Sequence, residues 1–146
     1  MPQSISLQFV HRSNVAHFRR PLTELLEQAF EKKLRNEFWT RELTDFFTDE
    51  NFQSCAIFQR KYLTKFAIAP ESRRLGIAKL LWDQVAESKQ QFFLRCRMSN
   101  PILPFYLKRA TDVVEIDAEW VVLGVNCQLT DAEIGFAKSC VNDFVD

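Results

Sequence analysis

Residues 73–78 are the part of the sequence best suited to binding an anion. They lie between a predicted strand and a predicted helix and comprise Arg73, Arg74, Leu75, Gly76, Ile77 and Ala78. A helix N-terminus presents unpaired amides and the positive end of the helix dipole, so it can hold phosphate oxygens. Gly76 and Ala78 have no side chain large enough to block a pyrophosphate, and both arginines can add charge-assisted hydrogen bonds. The run predicts a phosphate-binding loop, and the plainer alternative is an exposed arginine pair beside a chance glycine.

A second candidate site is carried by a predicted strand at residues 92–98. Because successive side chains of a strand point to opposite faces, Arg95 and Arg97 share one face while Cys96 points to the other. Two guanidiniums on one face require an anion, and the planar fork of arginine suits a carboxylate. Pairing with Asp or Glu residues at the edge of the core is the structural alternative.

Cysteine chemistry is less favoured than direct chemistry on bound substrates. The four cysteines form no CxxC pair, so we expect reduced thiols and no metal site; they are Cys55, Cys96, Cys127 and Cys140. Cys55 and Cys96 could act as nucleophiles, but both histidines, His11 and His17, precede the core of the predicted sheet. No Cys–His pair is therefore suggested.

Hydrophobic periodicity predicts the elements that must position these residues. The predicted strands cover residues 4–10, 55–58, 62–68, 92–98 and 120–125; the predicted helices cover residues 21–30, 38–46, 71–88, 105–109 and 131–144, the last capped by Thr130. The buried face of the third helix is expected to comprise Ile77, Leu80, Leu81, Gln84 and Val85. A helix between two parallel strands makes this an α/β or mixed-sheet (α+β) fold.

Composition bounds the remaining possibilities. The 146 residues are expected to form a single domain, 1–146, and 47% of them are hydrophobic, which argues for a folded globule. The formal net charge is zero, so no global field attracts nucleic acid or an anionic membrane. No stretch resembles a signal peptide or a membrane span, and a cytoplasmic location is expected.

Several separated fragments resemble the acetyltransferase domain of the N-acetylglutamate synthases, of the kind usually fused to an amino-acid-kinase module. In that family a Tyr-Leu-Asp-Lys-Phe strand, a Leu-Trp helix, a Trp-Arg-Ser-Arg strand, an Asn-Pro and a Trp-Tyr occur in order. Here the corresponding fragments occur in the same order at similar spacing: residues 62–66, 81–82, 94–97, 100–101 and 105–106. The anion-binding run also resembles the acetyl-CoA signature of the GNAT enzymes. The resemblance implies a GNAT fold, with a mixed, mostly antiparallel sheet flanked by helices.

The resemblance also implies roles for individual residues. The substrate-binding residues of the family fall on Lys65, Arg97 and Asn100, and the catalytic tyrosine falls on Tyr106. The residues implied for acetyl-CoA are Phe66, Ala67 and Ile68 on the strand, then Arg73, Arg74, Leu75, Gly76, Ile77 and Ala78. The implied reaction transfers acetyl from acetyl-CoA to the α-amine of L-glutamate in arginine biosynthesis, with Tyr106 protonating the departing thiolate. A base or water chain must take the amine proton, and the sequence does not assign it.

Departures from the family pattern leave two alternatives open. Thr64, Leu94 and Cys96 replace the Asp, Trp and Ser of the family, and residues 110–112 differ from its Ser-Asp-Gly. These changes put the choice of acceptor in doubt more than the cofactor. The alternatives are a GNAT enzyme for another small amine and a non-catalytic acetyl-CoA-binding module.

The expected partners follow from the same resemblance. The chain begins at its own Met1, so no kinase module is expected before it. Association with a second copy or with an amino-acid kinase is expected through exposed aromatics, for which Phe46, Phe47 and Phe52 are the candidates.

Overall fold

The structure is a computed structural model that describes residues 8–145, excluding the side chain of Arg74. Strand β1 covers Phe9–Arg12, so the predicted first strand overlaps it only at Phe9 and Val10. The other residues of that prediction lie outside the described residues or immediately before the strand. A 3-10 turn at Val15–Phe18 leads into helix α1, Arg19–Phe30, whose leucines Leu22, Leu25 and Leu26 are buried as predicted.

The predicted helix over residues 38–46 is wrong. The chain instead forms the short strand β2, Lys33–Leu34, a 3-10 turn at Asn36–Thr40 and strand β3, Asp45–Asp49. In β3, Phe46 packs into the cluster beneath α1 and Phe47 into the cluster beneath the opposite face of the sheet. Because both faces of β3 are covered, adjacent residues are buried and the alternation that marks a strand disappears.

The centre of the fold confirms the predicted hairpin and crossover. Strands β4, Ser54–Gln59, and β5, Tyr62–Ile68, pair antiparallel around a turn in which Arg60 has a φ of 56°. After β5, a 3-10 turn at Pro70–Leu75 and helix α2, Ile77–Lys89, lead to strand β6, Phe92–Arg97. Strand β6 lies parallel to β5.

Helix α2 differs from its prediction in start and orientation. It begins at Ile77 rather than at residue 71, because Gly76 adopts a left-handed φ of 71°. Its buried face contains Trp82 in place of Leu80 and Gln84, which are exposed. The Trp82 ring packs edge-to-face on Phe92 at a centroid distance of 5.3 Å, which turns this face of the helix toward the sheet.

The C-terminal part contains two strands that the sequence did not predict. Helix α3, Leu103–Leu107, is followed by strand β7, Asp112–Glu115, and then by strand β8, Trp120–Val125. Helix α4, Asp131–Ser139, ends before the predicted residue 144, and strand β9 covers Phe144–Val145. The predicted cap is present, because the Glu133 carboxylate accepts from the Thr130 amide at 3.1 Å.

Within residues 8–145, the main sheet has seven strands in the order β1-β3-β4-β5-β6-β8-β7. Neighbouring strands in this sheet are antiparallel, except that β5 and β6 are parallel. Strands β2 and β9 pair as a separate two-stranded sheet. The predicted mixed, mostly antiparallel sheet flanked by helices is confirmed. Phe46 and Phe47 are buried rather than exposed and Phe52 is half-buried, which corrects the expected aromatic partner surface.

Candidate functional site

A cavity of about 670 Å³ opens where the two parallel strands diverge. Strands β5 and β6 pair only through Tyr62 with Phe93 and Leu63 with Leu94, and beyond these residues the strands separate. Strand β5 remains paired with β4 as far as Ile68, and β6 remains paired with β8 as far as Arg97. The splayed edge of β5 therefore faces the cavity with backbone groups that a ligand can pair with.

The cavity brings together predicted residues that are distant in sequence. Its lining includes all three predicted substrate-binding residues, the predicted catalytic tyrosine and five of the predicted acetyl-CoA residues: Lys65, Arg97, Asn100, Tyr106, Phe66, Ala67, Ile68, Arg73 and Ala78. Helix α2, α3 and strand β6 contribute the remote members. These side chains are far apart in the sequence, and the packing of the elements brings them to one cavity.

The predicted anion loop lies at one end of this cavity. Gly76 closes the 3-10 turn and opens α2, and a Cβ added to it meets no atom within 4 Å. The amide of Leu80 bonds the Gly76 carbonyl at 3.3 Å, so the amides of Ile77, Ala78 and Lys79 precede the first helical hydrogen bond. Leu75 is exposed, whereas the Ile77 side chain is buried in the core. The loop therefore has the open backbone that a pyrophosphate requires.

Arg73 also has a structural function that the sequence did not reveal. Its Nε donates to the carbonyl of Ile68 at 3.2 Å, and its guanidinium donates to the carbonyl of Ala29 as well. The side chain thus links the end of β5 to the end of α1 while it lines the cavity.

Lys65 lies in a buried ionic cluster. Its Nζ is 2.6 Å from Oδ2 of Asp143, whose Oδ1 is 2.7 Å from the guanidinium of Arg41. The Lys65 Nζ also donates to the carbonyl of Thr64 at 3.0 Å. Burial lowers the pKa of Lys65 despite the nearby Asp143 carboxylate. This lysine is therefore no exposed strand residue, and its charge is already partly compensated.

The two arginines of β6 share a face, as predicted, and both stack on Trp120. The guanidinium carbons of Arg95 and Arg97 lie 4.1 Å and 4.3 Å from the centroid of that ring. Arg95 donates to the carbonyls of Ala137 and Cys140, at the C-terminal end of α4. Arg97 is half exposed and lies 3.6 Å from Glu119. Arg95 thus binds the protein itself, whereas Arg97 faces the cavity mouth.

Asn100 and Tyr106 frame the opposite wall. The Asn100 side-chain oxygen accepts from the amide of Ile102 at 3.1 Å, so this residue orders the start of α3. Tyr106 is buried and its ring packs at 5.5 Å from Trp82 and 6.1 Å from Phe66. Burial raises the pKa of the Tyr106 phenol, helped by the nearby Cys96, so the hydroxyl stays protonated. A protonated phenol beside the splayed strands can serve as a proton donor.

The thiols and histidines are poorly placed for nucleophilic catalysis. Cys55 and Cys96 are buried, and desolvation raises their thiol pKa values to about 12 and about 11. His11 instead contacts the Asp45 carboxylate at 2.6 Å, and its ring stacks on Phe47. Within residues 8–145 no group of three His, Cys, Asp or Glu side chains could hold a metal ion. No helix in that range is long and apolar enough to cross a bilayer.

Sequence reasoning missed Asp143, Arg41 and Trp120 as members of the site. Asp143 lies 78 positions from Lys65, in a segment that was predicted as the end of a helix. Trp120 pairs in register with Arg97, a relation that needs the order of the strands. The signal available in the sequence was the continuous apolar run of β8, which begins at this tryptophan.

One family model matches most of this chain. The sequence model of the family "NAT, N-acetyltransferase, of N-acetylglutamate synthase" matches residues 10–130. The human mitochondrial N-acetylglutamate synthase is 28% identical over 99 residues, which cover 61% of this chain and 18% of that protein. An acetylglutamate kinase of Xanthomonas campestris pv. campestris is 24% identical over 111 residues, covering 69% of this chain and 26% of that protein. The chain thus spans about a fifth to a quarter of these relatives.

Solved structures share the fold at low sequence identity. The Escherichia coli ribosomal-protein-S18-alanine N-acetyltransferase superposes with a TM-score of 0.60 at 11% identity, covering 85% of this chain and 97% of that one. The paiA N-acetyltransferase of Thermoplasma acidophilum, solved with coenzyme A, gives 0.55 at 12% identity and covers 79% and 97%. Others are described as acetyltransferases of the GNAT family.

Proposed function

Because the chain belongs to the family of N-acetyltransferase domains of N-acetylglutamate synthase and has the GNAT fold, we propose that it transfers acetyl from acetyl-CoA to the α-amine of L-glutamate. The observation that carries this proposal is a single cavity lined by Lys65, Arg97 and Tyr106 at the splay between β5 and β6. An alternative acceptor amine, or acetyl-CoA binding without turnover, would use the same cavity.

The open backbone at the start of α2 supports acetyl-CoA as the acyl donor. The amides of residues 76–78 donate hydrogen bonds to the pyrophosphate oxygens, and Gly76 leaves the approach clear because its position carries no Cβ. The pantetheine arm pairs with the splayed edge of β5 at Phe66, Ala67 and Ile68, in the manner of an added strand. Arg73 adds charge beside the phosphates while its hydrogen bonds hold the loop to α1.

The face of β6 that carries Arg97 supports a carboxylate-bearing acceptor. Arg97 binds one carboxylate, Lys65 is the candidate for the second, and Asn100 fixes the α3 turn beside them. Holding the amine against the thioester converts a bimolecular reaction into an effectively unimolecular one. Tyr106 then donates its phenolic proton to the departing thiolate, and the proton that the amine nitrogen loses returns to the phenolate through water.

The relatives support a place for this reaction in arginine biosynthesis. The cytoplasmic location stays a prediction from the sequence, and the matching human synthase is mitochondrial. One of the relatives is an acetylglutamate kinase, and the part of it that matches this chain is 26% of its length. An amino-acid kinase, or a second copy of the chain, is therefore the proposed protein partner. Copurification with a kinase, and the mass of the particle in solution, test this part of the proposal.

The proposed reaction is tested by CoA release from acetyl-CoA with L-glutamate and with a panel of other amines. Tyr106→Phe removes only the phenolic hydroxyl, so we expect kcat to fall about 100- to 10,000-fold with little change in acetyl-CoA affinity. Tyr62→Phe is the matched control, because Tyr62 is the other tyrosine of the chain and is also buried, at the closed end of the cavity where β5 and β6 pair. Its turnover should stay near the wild-type value.

The outcomes separate the candidate functions. Turnover of another amine but not of glutamate would reassign the acceptor. Acetyl-CoA binding with no amine consumed would point to a binding module, and equal turnover in the two tyrosine variants would remove the acid function from Tyr106.

A further inference from the structure

The C-terminal strap, defined as residues 140–145, forms one wall of the cavity. The amide of Arg35 donates to the carbonyl of Asp143 at 2.7 Å, and Arg41 donates to the carbonyl of Val141 at 3.1 Å. Strand β9 pairs with the two residues of β2. The strap therefore approaches the cavity from outside the main sheet and reaches the acceptor side of β5.

The strap places a carboxylate on the cation that the acceptor is proposed to use. The side chain of Asp143 is only 6% exposed, and its two oxygens bond Lys65 at 2.6 Å and Arg41 at 2.7 Å. A carboxylate held by two cations in a buried position has the geometry that a bound carboxylate ligand would have. Asp143 thus fills a carboxylate-binding position from within the chain.

Lys65 has little capacity for a second carboxylate while Asp143 stays. Two of its three donors are used, by Asp143 and by the carbonyl of Thr64. An incoming carboxylate would also meet the like charge of Asp143 in a desolvated setting.

We infer that Asp143 is a specificity-determining residue of the acceptor site, because a carboxylate ligand reaches Lys65 only by displacing Asp143 together with the strap. The inference rests on the proposed function for the identity of the acceptor. The exchange replaces one carboxylate with another, so both buried cations stay paired. Displacement leaves the main sheet intact, because β9 pairs with the two residues of β2 in a separate sheet; it breaks this ladder and the hydrogen bonds from Arg35 and Arg41. Val141 and Val145 are exposed already.

Binding of glutarate tests the inference without any turnover. Glutarate has the two carboxylates of glutamate and no amine, so calorimetry measures carboxylate binding alone, with CoA present throughout. Asp143→Asn keeps the size of the side chain and removes its charge, and we expect glutarate to bind about tenfold more tightly than to the wild type. Asp83→Asn is the matched control, because Asp83 lies exposed on α2 and pairs only with Lys79; its affinity should equal the wild-type value.

Equal or weaker glutarate binding by folded Asp143→Asn, or no binding by either protein, would overturn the inference and make Asp143 a fixed wall that positions Lys65. If Asp143→Asn does not fold, hydrogen exchange of the Arg35 amide in the wild type tests the inference instead. This amide donates to the Asp143 carbonyl, so its exchange rate reports release of the strap. Saturating glutarate should accelerate its exchange; unchanged or slower exchange overturns the inference. Strap release by glutarate without acetylation of glutamate would instead sink only the proposed function.

Discussion

At the residue scale, three cations near the cavity differ in how fully they are compensated. Lys65 is bonded to the buried Asp143, and Arg95 donates to two backbone carbonyls. Arg97 stacks on Trp120 and is paired with the carboxylate of Glu119 at 3.6 Å, and the side chains of Arg97 and Glu119 are 49% and 74% exposed. An exposed pair of this kind is weak, since water and salt screen it. Arg97 is therefore the most available of the three for an acceptor carboxylate.

We expect Arg97→Met to raise the KM for glutamate about 10- to 100-fold, the value of a hydrogen bond to a charged group. The KM for acetyl-CoA and the stability should change little, because the methionine keeps the apolar contact with Trp120 and the pair with Glu119 is exposed. Steady-state kinetics with each substrate varied in turn measures this. Arg20→Met, on the exposed surface of α1, is the control. An unchanged KM for glutamate in the Arg97 variant would remove this residue from the acceptor site.

At the element scale, the turn between β5 and α2 decides where the helix points. Pro70 ends the strand, the 3-10 turn follows, and Gly76 reverses the backbone at a left-handed φ before α2 begins. The helix therefore starts beside the splayed end of β5, with Ala78 lining the cavity. The glycine serves both the turn and the clear approach to the helix amides.

Two Gly→Ala substitutions separate these effects. Gly76→Ala should lower the free energy of unfolding by about 1–2 kcal/mol, because alanine resists a left-handed conformation, and should weaken acetyl-CoA binding about tenfold or more by crowding the phosphates. Gly135→Ala, in the interior of α4 with no atom near the added Cβ, should raise stability by about 0.5–1 kcal/mol and leave binding unchanged. Denaturant titration and equilibrium binding measure both. Undiminished acetyl-CoA binding by Gly76→Ala would move the phosphate site elsewhere.

At the scale of the whole molecule, the described residues form two large hydrophobic cores on opposite sides of the sheet and a smaller one beside α4 around Tyr62 and Phe93. One large core lies under α2 around Phe58, Leu81 and Phe92, and the other large core lies under α1 around Leu22 and Phe46. A polar cluster around Asp45 links β1, β3 and helix α2 through hydrogen bonds. Its carboxylate receives hydrogen bonds from His11 on β1, Thr44 before β3 and Lys89 at the end of α2.

This cluster predicts a pH dependence of global stability. Burial alone would raise the pKa of Asp45. Hydrogen bonds from Lys89, Thr44 and His11 outweigh burial, so the pKa of this carboxyl is lowered overall. A depressed folded-state pKa contributes stability above the unfolded value of about 3.9, and this contribution is lost as the pH falls through the folded-state pKa. Asp45→Asn should therefore lose about 1–3 kcal/mol at pH 7 and approach the wild type in acid.

Urea titrations at several pH values measure this difference, with Asp83→Asn as an exposed control that should stay close to the wild type throughout. A constant loss for Asp45→Asn at neutral and acid pH would show that the hydrogen-bond geometry, and not the charge, stabilises the cluster.

The sequence by itself determined the features that depend on local pattern and on the order of motifs. The hairpin of β4 and β5 and the crossover through α2 follow from turn residues and helical period. Phosphate binding by residues 73–78 stays a prediction. The resemblance also named Lys65, Arg97, Asn100 and Tyr106 together, and the structure brings these four into one cavity. Motif order suffices here because each fragment is short and its element is correctly assigned.

Only the tertiary structure decided the features that depend on distant neighbours. Strand β3 resembles a helix locally because both of its faces are buried, and only its pairing with β1 and β4 makes it a strand. The end of α4 depends on the pairing of β9 with β2, more than a hundred positions away in the chain. That same pairing places Asp143 on Lys65. Hydrophobic periodicity reports which face of an element is buried, but it carries no information on which remote side chain will meet that face.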